Sequence, residues 1–339
     1  MRHIPARMDV GILGAGPAGA AAAITLARAG RSVLLVDRSP FPRPKVCGDA
    51  LTPPAVRALQ ELEVECKVRV KAHSVLGSIR HRSGAKDGVM SYDPLGIVVP
   101  RETLDALLVD AARQGGCTTL LGRPVEMRWP EHGPVFLRWD EGRNIREVEL
   151  SCALLACGLP HLSAGLADRP AGGVMCFGMR GYASYFSLDA SWLHFYPVGN
   201  GSSYVWIFPM SAELANVGAW LTADTWHRLG GRGERVWATM WAQVPEAGAA
   251  IAAGPESIAF QTYPTVTLLP AQVPCGERWM CIGGAAGLVH AATGEGISYA
   301  LWSGIEAANW IVEGGLPGAD ATAAIQKKCA KEIGIYYAD

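Results

Sequence analysis

Val10-Gly11-Ile12-Leu13-Gly14-Ala15-Gly16-Pro17-Ala18-Gly19 decides the fold of the first part of this chain. Val10–Leu13 reads as a short apolar strand. An alanine-rich helix is predicted from about Ala18 to Ala29, where Gly30 supplies a C-terminal stop. Val33-Leu34-Leu35-Val36 reads as a second strand, with Asp37 at its carboxyl end and Arg38 directly after it. Strand, glycine turn, helix, strand and terminal acid, in that order, make the βαβ fingerprint of a dinucleotide site. Gly14 permits the tight turn, Gly16 lets the backbone approach a pyrophosphate, and Gly19 lets the helix pack against the strand. The first helical turn, with Pro17 and Ala18, offers free N–H groups and a partial positive charge to phosphates. Asp37, 18 residues beyond Gly19, is placed to accept hydrogen bonds from both ribose hydroxyls. An adenine dinucleotide is the ligand this context predicts.

The composition narrows the function from the other side. The chain has 339 residues, half of them hydrophobic and 18% charged, so it has a sizeable core and is not disordered. Lys plus Arg is 30 against 31 for Asp plus Glu, with no basic run of the kind a polyanion binder needs, so nucleic acid is not expected as a partner. The nine cysteines include no C-x-x-C pair and no Cys/His set with metal-ligand spacing. That pattern fits reduced thiols in a cytoplasmic protein, with no metal site. Met1-Arg2-His3-Ile4-Pro5 lacks the apolar core of a signal peptide. No stretch has the roughly 18 uninterrupted apolar residues that a spanning helix needs. The mean hydropathy of +0.16 fits an apolar pocket, a membrane-facing patch or a thick core.

Further along, Phe41-Pro42-Arg43-Pro44-Lys45-Val46-Cys47-Gly48-Asp49 reads as an irregular loop, and Thr52-Pro53-Pro54 opens a helix over roughly 54–63. Residues 81–94 read as polar and turn-rich, with Ser83-Gly84 and Asp93-Pro94. Arg101-Glu102-Thr103-Leu104-Asp105 starts an amphipathic helix with Thr103 as its expected N-cap. Residues 134–140 and 145–150 look like a hairpin, and Ala153–Gly158 like a buried strand ending in a glycine turn. From 174 to 222 aromatic residues alternate between short turns, an antiparallel sheet signature with a hairpin turn at Asn200-Gly201. One helix is expected over 233–252, a strand at Arg278–Gly283, then a second glycine-rich turn from Gly284 to Gly296 and a long apolar helix from about Ile297 to Val312.

Taken together, Gly14-x-Gly16-x-x-Gly19, Lys45-Val46-Cys47-Gly48-Asp49, Arg101-x-x-Leu104-Asp105 and Gly283-x-Ala285-Ala286-Gly287 with Gly294-Glu295-Gly296-Ile297 resemble a flavin-dependent enzyme of the para-hydroxybenzoate hydroxylase-like fold. Within that superfamily the chain is most similar to the geranylgeranyl reductase family of FAD-dependent oxidoreductases. The Cys47-Gly48 pair and Tyr204-Val205-Trp206-Ile207-Phe208-Pro209, followed by Asn216-Val217-Gly218, select that branch. The resemblance runs from about residue 9 to 312. It implies an α/β fold: a Rossmann-like FAD-binding domain interleaved with an antiparallel β-sheet substrate domain. The expected division is 8–75, 96–162 and 270–312 for FAD, 76–95 and 163–269 for substrate, and 313–339 as a C-terminal helical tail.

The resemblance further implies that Gly294, Glu295 and Gly296 lie against the isoalloxazine ring, that Cys47 passes close to it, and that Arg101 and Lys45 contact the flavin. Backbone amides at such a turn stabilise the anionic reduced ring. Two departures stand out. Where the family carries an Asp that receives hydrogen bonds from the ribityl chain, this chain has Gly284, and weaker FAD binding is the expected result. Cys157 stands where relatives often have Asp or Thr.

The expected activity is hydride transfer from flavin N5 to a carbon–carbon double bond of a hydrophobic, prenyl-type substrate, with Cys47 or Tyr204 as proton donor. The alternative is a monooxygenase acting through a flavin hydroperoxide, and a third reading is a non-catalytic flavin-fold accessory protein. NADPH or NADH would visit as a transient electron donor, since only one dinucleotide fingerprint exists. Tyr204, Trp206 and Phe208 alternate along one strand and so share a face. Two readings of that face are open: the roof of an apolar substrate pocket, or the core side of the sheet. Cys47 is likewise open between a site thiol and a small buried hydrophobe. His290 lies inside the second glycine segment as a substrate-side candidate. Peripheral membrane contact is compatible with a lipid substrate, though no basic amphipathic helix marks it. Substrate identity, donor and oligomeric state are not legible.

Overall fold

The computed structural model describes residues 4–82, 86–129, 133–142, 144–158, 174–199, 201–267, 273–290 and 292–334. Its described strands form two eight-stranded sheets. The first runs in the order β15 (Cys275–Gly276), β16 (Trp279–Cys281), β9 (Asn144–Leu155), β1 (Arg7–Leu13), β2 (Val33–Asp37), β6 (Thr118–Leu121), with β7 (Glu126–Arg128) and β8 (Val135–Glu141) paired off β9. β1 lies between β2 and β9 and is parallel to both, with Val10 opposite Val33 on one side and Cys152 on the other. The expected hairpin is present as β8 and β9, and the second half of β9 enters the parallel core.

Covering this sheet are α1 (Pro17–Arg28), α4 (Arg101–Gln114) and α8 (Ile297–Val312), with α2 (Pro53–Glu61) and α3 (Glu65–Arg69) at one side. The alanines of α1 explain its position. Ala20, Ala21, Ala22 and Ala23 are fully buried, and small side chains let α8 approach so closely that a Cβ on Gly304 would collide with the Ala18 carbonyl. α9 (Ala319–Gly334) packs on α8 and the β15–β16 edge.

The second sheet has the order β14 (Gln261–Thr267), β10 (Val174–Ser184), β13 (Leu214–Thr222), β12 (Ser203–Pro209), β11 (Trp192–Val198), β4 (His73–Arg80), β5 (Gly88–Val98), β3 (Ala50–Leu51). Its neighbours are antiparallel except β4 and β11. The period of two sorts the strands into two faces. Val205 and Ile207 of β12 join Trp237 and Trp241 of α6 (Gly233–Ala242), under α5 (Ala223–Arg228) and α7 (Pro245–Ala249). Tyr204, Trp206 and Phe208 lie in the opposite cluster, with Val75, Leu193 and Trp220.

Three local expectations need correction. The helix expected over 233–252 is two helices, because Pro245 cannot continue a helix and forces its predecessor out of the α region. α4 begins at Arg101, not after Thr103: Pro100 has the extended cap conformation, and Leu104 N–H donates to its carbonyl at 2.9 Å. The polar stretch at 81–94 is largely strand, since β5 starts at Gly88; Ser83-Gly84 lies outside the described residues. Pro94 is tolerated in β5 because the β4–β5 register shifts between Val75 and Gly77, opposite that part of the strand. The expected hairpin turn at Asn200-Gly201 falls partly outside the described residues, at Asn200.

Candidate active site

The first glycine turn is built as its spacing requires. Gly14 sits at φ +105°, in a region other residues avoid, and a Cβ there would enter the Ala156 carbonyl. A Cβ on Gly19 would enter the Gly14 carbonyl. Gly16 differs: an added Cβ would meet only Arg43 Nη2 at 3.8 Å and Arg101 Nη2 at 3.9 Å. The N-terminus of α1, with Pro17 in its first turn, thus faces two guanidiniums across a gap that a single Cβ would fill. Both are held by one buried carboxylate. Asp105 accepts from Arg101 Nε at 2.8 Å and Nη2 at 2.9 Å and lies 3.4 Å from Arg43 Nη1. Burial works against the Arg101 charge, and the Asp105 carboxylate outweighs it, so the guanidinium pKa is raised. Asp37 ends β2, accepts from Ala15 N and Ser39 N at 2.9 Å each, and lies 3.5 Å from Arg43. Arg38 is exposed at the lip. A cradle that a Cβ would fill, a helix N-terminus and two cations beside an acid form a donor set that fits the pyrophosphate and ribose of FAD.

Across from it, β16 delivers the second glycine segment. Gly283 N–H donates to Ser303 Oγ of α8 at 2.9 Å, and Gly283–Ala286 form a single tight turn closed by Gly287. A Cβ on Gly284 would meet only the Gly158 Cα, at 3.7 Å, so the position of the family carboxylate is open space between two glycines. Tyr263 Oη is 3.6 Å from where a Gly158 Cβ would stand. Gly294, at φ +68°, rests against Trp220 of the aromatic face. Glu295 is turned away from that face. Its carboxylate accepts from Ser298 N at 2.9 Å and Thr52 Oγ1 at 3.3 Å, capping α8, and burial raises its pKa. Gly296 is the N-cap and Ile297 the first residue of α8. His290 Nδ1 is bonded within the loop, to Thr293 N at 3.2 Å and Thr293 Oγ1 at 3.0 Å.

Between the two segments lies the Lys45–Asp49 loop. Asp49 is fully buried, at φ +61°, and accepts from Tyr182 Oη at 2.8 Å, Asn216 Nδ2 at 2.8 Å and Arg101 N at 3.2 Å. Burial still pushes its pKa upward against those donors. Asn216 also donates to the Cys47 carbonyl at 2.8 Å and accepts from Trp206 Nε1 at 2.9 Å. Arg180 Nη2 donates to the Lys45 carbonyl at 3.0 Å. The loop is therefore pinned to the aromatic sheet, and Gly48 lies under Phe208, whose ring is 3.0 Å from where a Cβ would be.

Three titratable side chains stand around this loop. Cys47 Sγ accepts from Asp49 N at 3.3 Å, and burial raises the thiol pKa, which keeps it protonated. Lys45 Nζ is buried over the Tyr263 ring with no hydrogen-bond partner among the described residues; burial, then the Arg101 charge, lowers its pKa to about 6. Tyr204 Oη donates to the Thr293 carbonyl, joining β12 to the second glycine segment, and burial raises its pKa.

Both open readings of the aromatic face have substance. Tyr204, Trp206, Phe208 and Phe195 form a ring cluster with centroids 4.9–6.0 Å apart, so they are core to one another. The same cluster covers Gly48 and, through Trp220, Gly294. Sequence reasoning missed Arg43, Asp105, Arg180, Tyr182 and Tyr263 as site residues. Arg43 sits between two prolines, a cation on a stiffened loop, and that was a usable signal. Asp105 was legible as the i,i+4 partner of Arg101 in one helix, whereas Arg180, Tyr182 and Tyr263 acquire their places only by reaching the Lys45–Asp49 loop from the second sheet.

The model of an FAD binding domain matches residues 7–133. The menaquinone reductase of Mycolicibacterium smegmatis is 30% identical over 326 residues, covering 91% of this chain and 78% of that protein. Digeranylgeranylglycerophospholipid reductase 1 of Methanosphaera stadtmanae is 26% identical over 230 residues, covering 65% and 56%. The crystal structure of a geranylgeranyl bacteriochlorophyll reductase-like protein from Thermoplasma acidophilum superposes with a TM-score of 0.74 at 20% identity, over 96% of this chain and 83% of that one, and shares the fold.

Proposed function

The chain belongs to the geranylgeranyl reductase family of FAD-dependent oxidoreductases, and from that membership we propose that it reduces a carbon–carbon double bond in an isoprenoid-bearing hydrophobic substrate, of the kind a prenylated quinone or prenyl lipid presents. The observation that carries this reading is the aromatic face of β12, which closes on the Cys47-Gly48 loop and on the second glycine segment together.

FAD, when bound, would supply the two electrons as a hydride, with a reduced nicotinamide coenzyme as their source. The rest falls to the chain. Arg43, Arg101 and the α1 N-terminus would hold the pyrophosphate, and Asp37 the ribose. Trp206, Phe208 and Tyr204 give the alkene an apolar, water-excluding wall, which strengthens every polar contact inside it. Cys47 donates the proton to the carbon next to the one reduced; its raised pKa keeps the S–H available at neutral pH. Tyr204 positions, because its hydroxyl proton is committed to the Thr293 carbonyl. Lys45, without a partner of its own, binds an electron-rich edge of the cofactor. We take the first sheet as the core of the FAD-binding unit and the second as the core of the substrate unit. Nine free cysteines support a reducing, cytoplasmic setting, and no helix of the described residues is long and apolar enough to cross a membrane.

The test is anaerobic turnover of FAD-loaded protein with NADPH or dithionite and a menaquinone or a geranylgeranyl lipid, read by mass spectrometry. A product two hydrogens heavier supports the proposal. A product one oxygen heavier, formed only in air, would replace it with the monooxygenase reading.

A further inference from the structure

Lys45 carries a charge that nothing among the described residues balances. It lies within electrostatic reach of Arg101 and Arg43, whose guanidiniums face the N-terminus of α1. Those two cations have taken the nearby carboxylates. Asp105 accepts two hydrogen bonds from Arg101 and lies 3.4 Å from Arg43, and Asp37 lies 3.5 Å from Arg43. Lys45 Nζ is buried and has no hydrogen-bond partner among the described residues. It rests 2.7 Å from the centre of the Tyr263 ring, a face that accepts an N–H from an ammonium or from a neutral amine alike.

The other groups around Lys45 offer it no free negative charge. On its own loop, burial keeps the Cys47 thiol protonated, and the Asp49 carboxylate is turned to Tyr182 and Asn216. From β14, Tyr263 brings a hydroxyl that burial keeps neutral; its own neighbours are Arg38, after β2, and Cys157, after β9, a thiol pushed up to about 11 by burial. From β10, Arg180 adds another cation and donates to the Lys45 carbonyl. From α4 come Arg101 and the Asp105 that it holds. An ammonium buried among guanidiniums without a counter-ion is unfavourable, and losing its proton relieves it. Burial first, and then the Arg101 charge, lower the Lys45 pKa to about 6.

We propose that Lys45 is uncharged in the FAD-free protein and takes up one proton as FAD binds, so that its ammonium becomes a counter-ion of the anionic cofactor. FAD brings its diphosphate to two arginines whose charge Asp37 and Asp105 already offset. Lys45 is placed to add the positive charge that they lack. The step is a plain protonation: one N–H bond forms at Nζ, the proton comes from solvent, and no electron moves. Because the complex holds one more proton than the free protein, FAD affinity falls about tenfold for each pH unit above the pKa of the free protein. The proposal rests on FAD as the cofactor and is independent of the substrate.

The experiment counts protons while apo-protein that rebinds stoichiometric FAD is titrated with FAD at about pH 7.5, in weakly buffered solution with an indicator dye. Flavin fluorescence quenching gives the bound fraction. Neither the diphosphate nor the flavin ring of free FAD titrates near that pH, so the protons counted belong to the protein. We expect about one proton taken up per FAD in wild type and none in Lys45→Met. The wild-type Kd should weaken roughly 30-fold from about pH 7 to 8.5, against a flat profile in Lys45→Met. A second measurement needs no variant: in lysine-labelled wild type, one Cε carbon resonance should titrate near neutral pH without FAD and stay at its ammonium position with FAD bound. No uptake at saturating FAD, equal uptake in Lys45→Met, or apo-protein lysine resonances that all titrate in the ordinary range near about pH 10 overturns the proposal. Protein that shows no quenching at all overturns it together with the cofactor reading, so the two failures are told apart.

Discussion

Gly284→Asp is the sharpest perturbation of the cofactor site. A Cβ at this position has one neighbour within 4 Å, the Gly158 Cα at 3.7 Å, an ordinary van der Waals distance, and the backbone is not in the left-handed region. A Cβ at this position therefore meets no clash, and the substitution puts a carboxylate at the position where the family pattern has one. A hydrogen bond from a sugar-alcohol hydroxyl to a carboxylate is worth about 1.5–3 kcal/mol net, which corresponds to roughly 10- to 150-fold in Kd. Among the described residues Tyr263 Oη lies beside the Gly158 end of this space, and burial raises its pKa, so it offers a neutral hydroxyl. We expect wild-type protein to lose part of its FAD on extensive dialysis, while Gly284→Asp retains it. Titration of apo-protein with FAD, followed by flavin fluorescence quenching, gives both dissociation constants. Gly284→Ala serves as the control, filling the space without charge. If wild type keeps stoichiometric FAD through dialysis, or if the Asp and Ala variants bind FAD equally, the reasoning from the open glycine pair is wrong.

Cys47→Ala should leave FAD content unchanged and lower kcat about 100-fold or more, the usual weight of a positioned acid; stopped-flow reduction and turnover separate the two effects. Asn216→Ala removes three hydrogen bonds around the buried Asp49 carboxylate and the Trp206 indole, and should cost about 3 kcal/mol in urea unfolding at fixed FAD; a loss below about 1 kcal/mol would show that the loop is not pinned there. His194 is buried, 3.1 Å from His81, with its other nitrogen 2.9 Å from the Asp189 carbonyl. Burial lowers its pKa below the unfolded value of 6.5, so its neutral form contributes stability that is whole above that pH and is lost as pH falls through the folded pKa. Melting temperature should drop between pH 7.5 and 5.5, about the His titration range, and drop less in His194→Gln; parallel curves would count against the assignment.

The parts of this molecule legible in the sequence are those whose causes are local. Gly14, Gly16, Gly19 and Asp37 lie within one βαβ unit, and their spacing is readable there because Gly19 is held small by the Gly14 carbonyl, although Gly14 is also crowded by Ala156 of the neighbouring strand. The alternation through β12 is likewise local, and it set Tyr204, Trp206 and Phe208 on one face. What was hidden depends on pairings between distant residues. Asp49 reads as a loop charge until Tyr182 and Asn216, 133 and 167 residues away, meet it. Asp93-Pro94 reads as a turn because proline ordinarily breaks a ladder, and only the register shift against β4 shows why the strand survives it. Glu295 sits in the right segment, but its carboxylate serves the end of α8, a choice made by Ser298 and Thr52 and not by the glycines beside it.

The Lys45–Asp49 loop shows why a short motif can select a branch of a superfamily. The βαβ unit only needs to hold a nucleotide, and many enzymes share that need. This loop must satisfy two sheets at once. Its Asp49 carboxylate faces the N–H at the start of α4 and, on the other side, donors from β10 and β13. Gly48 must be small because Phe208 occupies the space a side chain would take. Asp49 can hold φ +61° at little cost because aspartate is among the few residues that tolerate the left-handed region. Cys47 is then left with a thiol that burial keeps protonated, between the guanidinium end of the cleft and its aromatic wall. The loop thus joins the arginine cluster at the α1 N-terminus to the aromatic face of the second sheet. A sequence meeting all these demands has little freedom left, which is the physical content of Lys-Val-Cys-Gly-Asp as a signature.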